Sequence, residues 1–209
     1  MEIVIDNYTK IIKGQEILKN INCTFSSGKI YGLYGKNGSG KTMLMRAVAG
    51  LIYPTEGAVK IDGKIVRKDI DFPESIGVLI ENPVFLPYFS GYKNLKFLAD
   101  IKSVIGKDEI YKAISDVGLD PEDERKVKKY SLGMRQRLGI AAAIMENPDI
   151  LLLDEPFNGI DEDSLDDIRK ILLSFRDKNK IVILACHDIE ELEKLTDKIF
   201  RIKNGRLEE

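Results

Sequence analysis

The feature that most narrows what this chain can fold into is the octapeptide Gly35, Lys36, Asn37, Gly38, Ser39, Gly40, Lys41 and Thr42. It lies between a short apolar run, Ile30 to Leu33, and a helical stretch from Lys41 to Ala49 that Gly50 stops. Glycine, four residues, then Gly-Lys-Thr at a strand-to-helix junction is a phosphate cradle. Its glycines let the backbone turn tightly and aim successive N–H groups at phosphate oxygens, and the following helix adds the positive end of its dipole. Lys41 is expected to reach the β- and γ-phosphates, and the Thr42 hydroxyl to coordinate Mg²⁺. With glycine near 7% of residues, such a match arises by chance in a chain this long in on the order of 1% of cases. All eight residues are therefore candidates for nucleotide binding.

Such a loop needs a sheet to carry it, and the hydrophobic pattern supplies one. Ile3 and Ile5 alternate, then Ile17, Ile21, Cys23 and Phe25 recur, which reads as paired strands. An antiparallel strand is expected over 57–63 and buried strands at Ile76 to Ile80, Ile150 to Asp154 and Ile181 to Ala185. Helices are expected over 133–145 and 165–175, with a short acidic one near 189–195, and a closing hairpin turns at Asn204 and Gly205. Short, wholly apolar strands alternating with helices predict an α/β fold: a phosphate-loop core with a mainly parallel sheet, plus an N-terminal antiparallel β-subdomain. Residues 82–129 differ in texture, with Phe85, Tyr88, Phe89 and Tyr92 followed by helical spacing through Leu95, Leu98, Ile101, Ile110, Ile114 and Val117. They predict an inserted α-helical subdomain within a single domain, 1–209, whose nucleotide-binding core is 1–81 and 130–209.

Composition limits the partners. Lys and Arg total 32 against 34 Asp and Glu, so no positive excess draws the chain to nucleic acid. Cys23 and Cys186 lie far apart behind no secretory leader and are expected as reduced thiols in a cytosol. The longest apolar runs fall well short of the ~20 residues needed to cross a bilayer. Any tie to a membrane is thus expected to run through a separate protein.

The run Ile150 to Pro156 ends an apolar strand in Asp154 and Glu155, where open parallel sheets present their ligands. Beside a phosphate loop, Asp154 is expected to hold Mg²⁺ through water and Glu155 to act as general base on an attacking water. Ser131 reads as the N-cap of a second helix whose dipole end could face an anion.

Four motifs in order, GKNGSGKT, YSLGMRQRLGIAAAI (130–144), ILLLDEPFNGID (150–161) and LACHD (184–188), resemble the ATP-binding cassette (ABC) transporter ATPases over essentially the whole chain. The resemblance implies an ATP-hydrolysing subunit that packs head to tail, with a second copy or a homologous subunit, around two ATP molecules. In that arrangement Ser131 and Gly133 bind the γ-phosphate held by the opposite subunit, Asp161 crosses the interface, and His187 contacts the γ-phosphate and orders the water. It also implies an integral membrane permease as partner and a cytoplasmic place on the inner face of the cell membrane. Hydrolysis at Glu155 would then part the subunits, with the helical insertion docking the permease. The short cassette is similar to exporters of antimicrobial peptides or drugs. A soluble, non-transport ABC-type ATPase is the alternative, although no second cassette, coiled-coil insertion or basic surface points to it.

Four positions depart from the family pattern. Glu81 stands where a metal-ligating glutamine is usual, which adds negative charge and predicts altered Mg²⁺ dependence. Ile12 stands where an aromatic ring usually stacks on adenine, with Tyr8 nearby but out of register, so weak preference for ATP over GTP is expected. Leu132 and Met134 replace a glycine and a glutamine of the signature.

Overall fold

The computed structural model describes residues 1–208, apart from the side chain of Asp163. It contains two sheets. In the first, β1 (Glu2–Ile12) and β2 (Gln15–Ser26) form an antiparallel hairpin. Both turn residues, Lys13 and Gly14, have positive φ, which suits the twist of the flanking strands. β1 pairs on its other side with β4 (Glu56–Ile61), which carries the two-residue β5 (Lys64–Ile65), giving the order β2-β1-β4-β5. Register shifts between Ile5 and Ile11 accompany Asn7 at φ 48°. Tyr8 is buried there, within the core that also holds Ile3, Ile5 and Leu44.

The second sheet has the order β10-β9-β3-β8-β7-β6, formed by Arg206–Glu208, Lys198–Lys203, Lys29–Tyr34, Ile181–Cys186, Ile150–Asp154 and Ile76–Leu79. Its strands are parallel except for the β9-β10 hairpin, whose turn residues Asn204 and Gly205 both have positive φ. β7 and β8 are buried at every position because both faces are covered. Alternate side chains serve two cores. Tyr31, Leu33, Leu152 and Ile183 face α1 (Lys41–Val48) and the antiparallel sheet. Ile30, Leu151, Leu153, Val182, Leu184 and Cys186 face the opposite side. There they meet side chains of α4 (Leu132–Ile144), α5 (Glu162–Asp177) and α6 (Ile189–Glu193).

Between β6 and α4 lie α2 (Gly91–Lys102), α3 (Lys107–Asp116) and a 3-10 turn, Val127–Lys129. Leu95, Ala99, Ile110, Ala113 and Ile114 join them to the α4 side of the core. The spacing through Leu98 and Ile101 does mark a helix, but those two side chains point outward, 41% and 79% exposed. Of the aromatic cluster, Phe85 packs on the core, Phe89 meets Phe97 edge-on, and Tyr88 is exposed. No helix among the described residues is long and apolar enough to cross a membrane.

The sheet order matters for function. The phosphate loop leaves the C-terminal end of β3 and the acidic pair leaves that of β7, while β8 lies between them. Three strand ends therefore converge on one edge, which is where open parallel sheets bind ligands.

Candidate nucleotide site

The loop 35–40 is shaped by close backbone approach. A Cβ on Gly35 would meet the Ile202 carbonyl at 2.3 Å and Ser39 Oγ at 2.6 Å, so no side chain fits there. Gly205 N–H donates to the Ser39 carbonyl, tying the loop to the terminal hairpin. Lys41 opens α1 and is buried at 5% exposure, with its ammonium donating to the Gly35 carbonyl at 2.6 Å. That ammonium also lies 3.6 Å from Glu155 Oε1, an ion-pair distance too long for a hydrogen bond.

Thr42 Oγ1 donates to Asp154 Oδ2 at 2.5 Å, so α1 and β7 bring two hard oxygen donors to one point. Asp154 is buried, and its carboxyl is pushed above the ordinary carboxylate value. Burial is the main cause, with the charges of Glu155 and Glu81 adding to it, while the Thr42 hydrogen bond and Lys41 oppose it. A buried carboxylate poised with a hydroxyl is the donor chemistry Mg²⁺ takes when phosphates and waters complete its shell.

Glu155 follows in a left-handed conformation, φ 47°, which costs a non-glycine residue energy. The conformation persists because its N–H donates to the Ala185 carbonyl at 2.8 Å and Gln136 holds the chain beyond it. Gln136, buried in α4, donates from its amide to the carbonyls of Glu155 at 3.0 Å and Pro156 at 3.3 Å. Glu155 Oε2 lies 2.8 Å from His187 Nδ1, so the carboxylate and the imidazole from the end of β8 are already paired. Burial pushes the neighbouring Cys186 thiol up to about 11, which keeps it protonated.

A pocket of about 620 Å³ joins the phosphate loop to the acidic pair. Its lining runs from Ile12, Lys13, Gln15 and Ile17 of the β1-β2 hairpin across loop residues 36–43 to Asp154 and Glu155. Ile12 thus sits on the wall where a base would lie. Gly35 is behind the loop, and Glu81 and His187 do not line this pocket. Glu81 has φ 63° and gives its carboxylate to Arg46 at 2.6 Å. That pair is exposed and worth ~0 to 1 kcal/mol.

Ser131, Gly133 and Asp161 also stand apart from the pocket. Ser131 Oγ accepts from Met134 N–H at 3.1 Å and caps α4, and exposed Asp161 caps α5 through Ser164 N–H at 3.0 Å. A Cβ on Gly133 would meet the Gly159 carbonyl at 2.4 Å, so these two segments touch through bare backbone. Leu132 covers Gly159 from outside and is 55% exposed. Sequence reasoning passed over Gln136 and Arg46. Gln136 is a polar residue on the apolar face of α4, a signal that could have been read, whereas nothing local pairs Arg46 with Glu81.

The sequence profile of the ABC transporter family matches residues 18–158. An uncharacterised ABC transporter ATP-binding protein of Bacillus subtilis, YybJ, is 49% identical over 97% of this chain and 93% of its own length. The bacitracin transport ATP-binding protein BcrA of Enterococcus faecalis is 40% identical over 100% of this chain and 69% of its own. The lantibiotic transport ATP-binding protein SrtF of Streptococcus pyogenes is 36% identical, covering 97% and 87%. The dimeric structure of a bacterial ABC transporter cassette superposes with a TM-score of 0.88 at 25% identity, covering 99% of this chain and 97% of the other. Phosphate loop, acidic strand end and paired histidine on such a fold define an ATP-binding cassette. The chain belongs to the ABC transporter family, as an ATP-binding subunit with ATPase activity.

Proposed function

We propose that this chain pairs head to tail, with a second copy or a homologous ATPase subunit, around two ATP molecules, and that the cycle drives export through a separate integral membrane permease. The observation that carries the reading is the division of anion-binding groups. One set converges on the pocket at the ends of β3 and β7. The other, at Ser131 and Gly133, caps a helix that presents itself away from that pocket. A single chain has no use for both on one nucleotide, whereas two chains facing each other do.

Within this reading Lys41 neutralises the β- and γ-phosphates, and the backbone N–H groups of residues 36–42 receive their oxygens. Thr42, Asp154 and Glu81 would hold Mg²⁺, which when bound supplies further positive charge to the phosphates; Glu81 first has to leave Arg46. Glu155 takes a proton from the attacking water, and His187, paired with it at 2.8 Å, orients that carboxylate and meets the γ-phosphate. Asp161 crosses to the opposite subunit. Ile12 packs on the base without polar readout, so GTP would serve nearly as well as ATP.

The unit 82–129, with Val84, Leu86 and Tyr88 at least half exposed, would dock the permease and place the chain on the cytoplasmic face of the membrane, with 1–81 and 130–209 as the nucleotide-binding core. The names of the bacitracin and lantibiotic relatives favour a peptide antibiotic as cargo. Glu155→Gln tests the sandwich, since loss of the base should slow turnover by about 10²- to 10⁴-fold. ATP binding should survive and trap a dimer visible by light scattering. A variant that binds ATP and stays monomeric removes the proposal.

A further inference from the structure

We propose that Glu155, Cys186 and His187 form a binding site for a thiophilic divalent cation, with Zn²⁺ the ion their donors fit, and that this ion switches the chain off by occupying the Glu155 carboxylate. The switching rests on the role given to Glu155 above, while the binding does not.

Register places the three residues together. Asp154 of β7 lies opposite Ala185 of β8, so Glu155, the first residue past β7, comes beside Cys186, the last residue of β8, with His187 following. One carboxylate oxygen, the cysteine sulfur and a ring nitrogen all lie within 4.8 Å of one another. Glu155 Oε1 is buried without a hydrogen-bond partner, and Oε2 already faces Nδ1 at 2.8 Å. Sulfur, imidazole and carboxylate together suit Zn²⁺, whereas Mg²⁺ takes hard oxygens such as those of Thr42 and Asp154. The chain thus offers two cations two different sets of donors a few atoms apart.

Tetrahedral bonds of about 2.0 to 2.3 Å place donors roughly 3.5 Å from one another, so the trio has to close by about 1 Å. The side chains of Glu155 and His187, 20% and 56% exposed, have room to move onto buried Cys186. Three protein ligands leave a fourth position for water. On binding, the Cys186 S–H bond breaks and its proton passes to solvent as the sulfur–zinc bond forms. If Nδ1 is the ligating nitrogen, the neutral imidazole carries its proton on Nε2. Thiolate and carboxylate cancel the charge of the ion, so Lys41, 3.6 Å from Glu155, faces no net repulsion. A carboxylate bound in this way cannot take a proton from water.

Co²⁺ is the probe, titrated into the full chain without nucleotide. Saturable binding of one ion should give a thiolate-to-cobalt charge-transfer band in the near ultraviolet with tetrahedral bands in the visible, all displaced by Zn²⁺. Cys186→Ser should abolish the band and weaken Zn²⁺ binding at least tenfold, roughly the scale of losing a supporting ligand contact. Cys23→Ser should leave the spectrum intact, and Cys186→Ala repeats the measurement should the serine variant not fold. No band, or a band that survives loss of the Cys186 sulfur, overturns the site. In excess MgATP, turnover of the unmodified chain should fall about tenfold with saturating Zn²⁺, and that of Cys186→Ser by less than twofold. A cobalt band with turnover indifferent to Zn²⁺ refutes the switch. A chain with no turnover at all refutes the role of Glu155 in hydrolysis, and the cobalt spectrum still decides the metal site.

Discussion

The two helix starts proposed to hold a phosphate, before α1 and before α4, are built in opposite ways. The loop before α1 is sunk into the molecule: Ser39, Lys41 and Asp154 are buried, with Lys41 donating to the Gly35 carbonyl, Asp154 accepting from Thr42, and the Ser39 backbone carbonyl held by the terminal hairpin. The end of α4 is a surface structure, with exposed Ser131 capping it, Leu132 half out in solvent and Gly133 lying on the bare backbone of Gly159. A buried cradle can bind its ligand alone because its donors are pre-positioned and shielded from water. An exposed helix end cannot, since water competes for its donors until another surface covers it. The contrast is what the proposed two-chain site requires of each half.

Mixing two defective chains tests this directly. Lys41→Ala should lower ATP turnover by about 10² to 10³, the usual cost of removing one electrostatic stabiliser from a preorganised site. Ser131→Arg should do so to a similar degree by filling the helix end. Mixed in equal amounts, the two should regain turnover well above either alone, because one of the two sites in a mixed pair then has an intact cradle and an intact helix end. No recovery on mixing, with both variants folded and able to associate, places both elements on the same nucleotide and ends the comparison.

A smaller effect is expected at the contact between Gly133 and Gly159. Alanine at position 133 would put its Cβ 2.4 Å from the Gly159 carbonyl, and backbone has little freedom to retreat. Overpacking of this kind costs ~1 to 3 kcal/mol. Thermal unfolding should register that loss. ATP affinity of the monomer should stay close to that of the parent chain, since the pocket is lined without Gly133. An equal loss of affinity would mean that the α4 end already serves its own cradle.

The same contrast explains what could be read from the amino acids. The phosphate loop, the apolar strands β7 and β8, the Ser131 cap and the Asn204-Gly205 turn were all legible, because each is a local pattern with a local physical cause. Leu98 and Ile101 marked their helix by spacing, but periodicity does not say which flank of the stripe meets the core, since that depends on what packs against it. The sheet order, with β8 between β3 and β7, has no local signal, and it alone brings His187 and Cys186 to Glu155. The Arg46–Glu81 pair likewise joins residues 35 positions apart, and Glu81 was read as a metal donor without the arginine that now holds it. The left-handed Glu155 was hidden because nothing in an acidic dipeptide announces strain sustained by a glutamine from another helix.

The smallest effect concerns the buried side of the comparison and runs toward greater stability. The folded chain raises the Asp154 carboxyl above its ordinary 3.8, chiefly by burial. From that value upward to the raised one, the folded state keeps a proton that the unfolded chain has released, so stability falls as pH rises through the window. Above the window the cost stands in full, and at neutral pH the cradle carries a charge that the proposed Mg²⁺ site needs and folding does not. Asp154→Asn keeps an oxygen for the Thr42 hydroxyl while removing that charge. It should melt at a higher temperature than the parent at pH 7, with the gain shrinking as pH falls toward 3.8. The same substitution should reduce ATP turnover, the usual opposition between stability and activity at a strained site. If Asp154→Asn instead melts lower than the parent at neutral pH, the carboxylate is a net support of the fold, and burial is not the dominant influence on it.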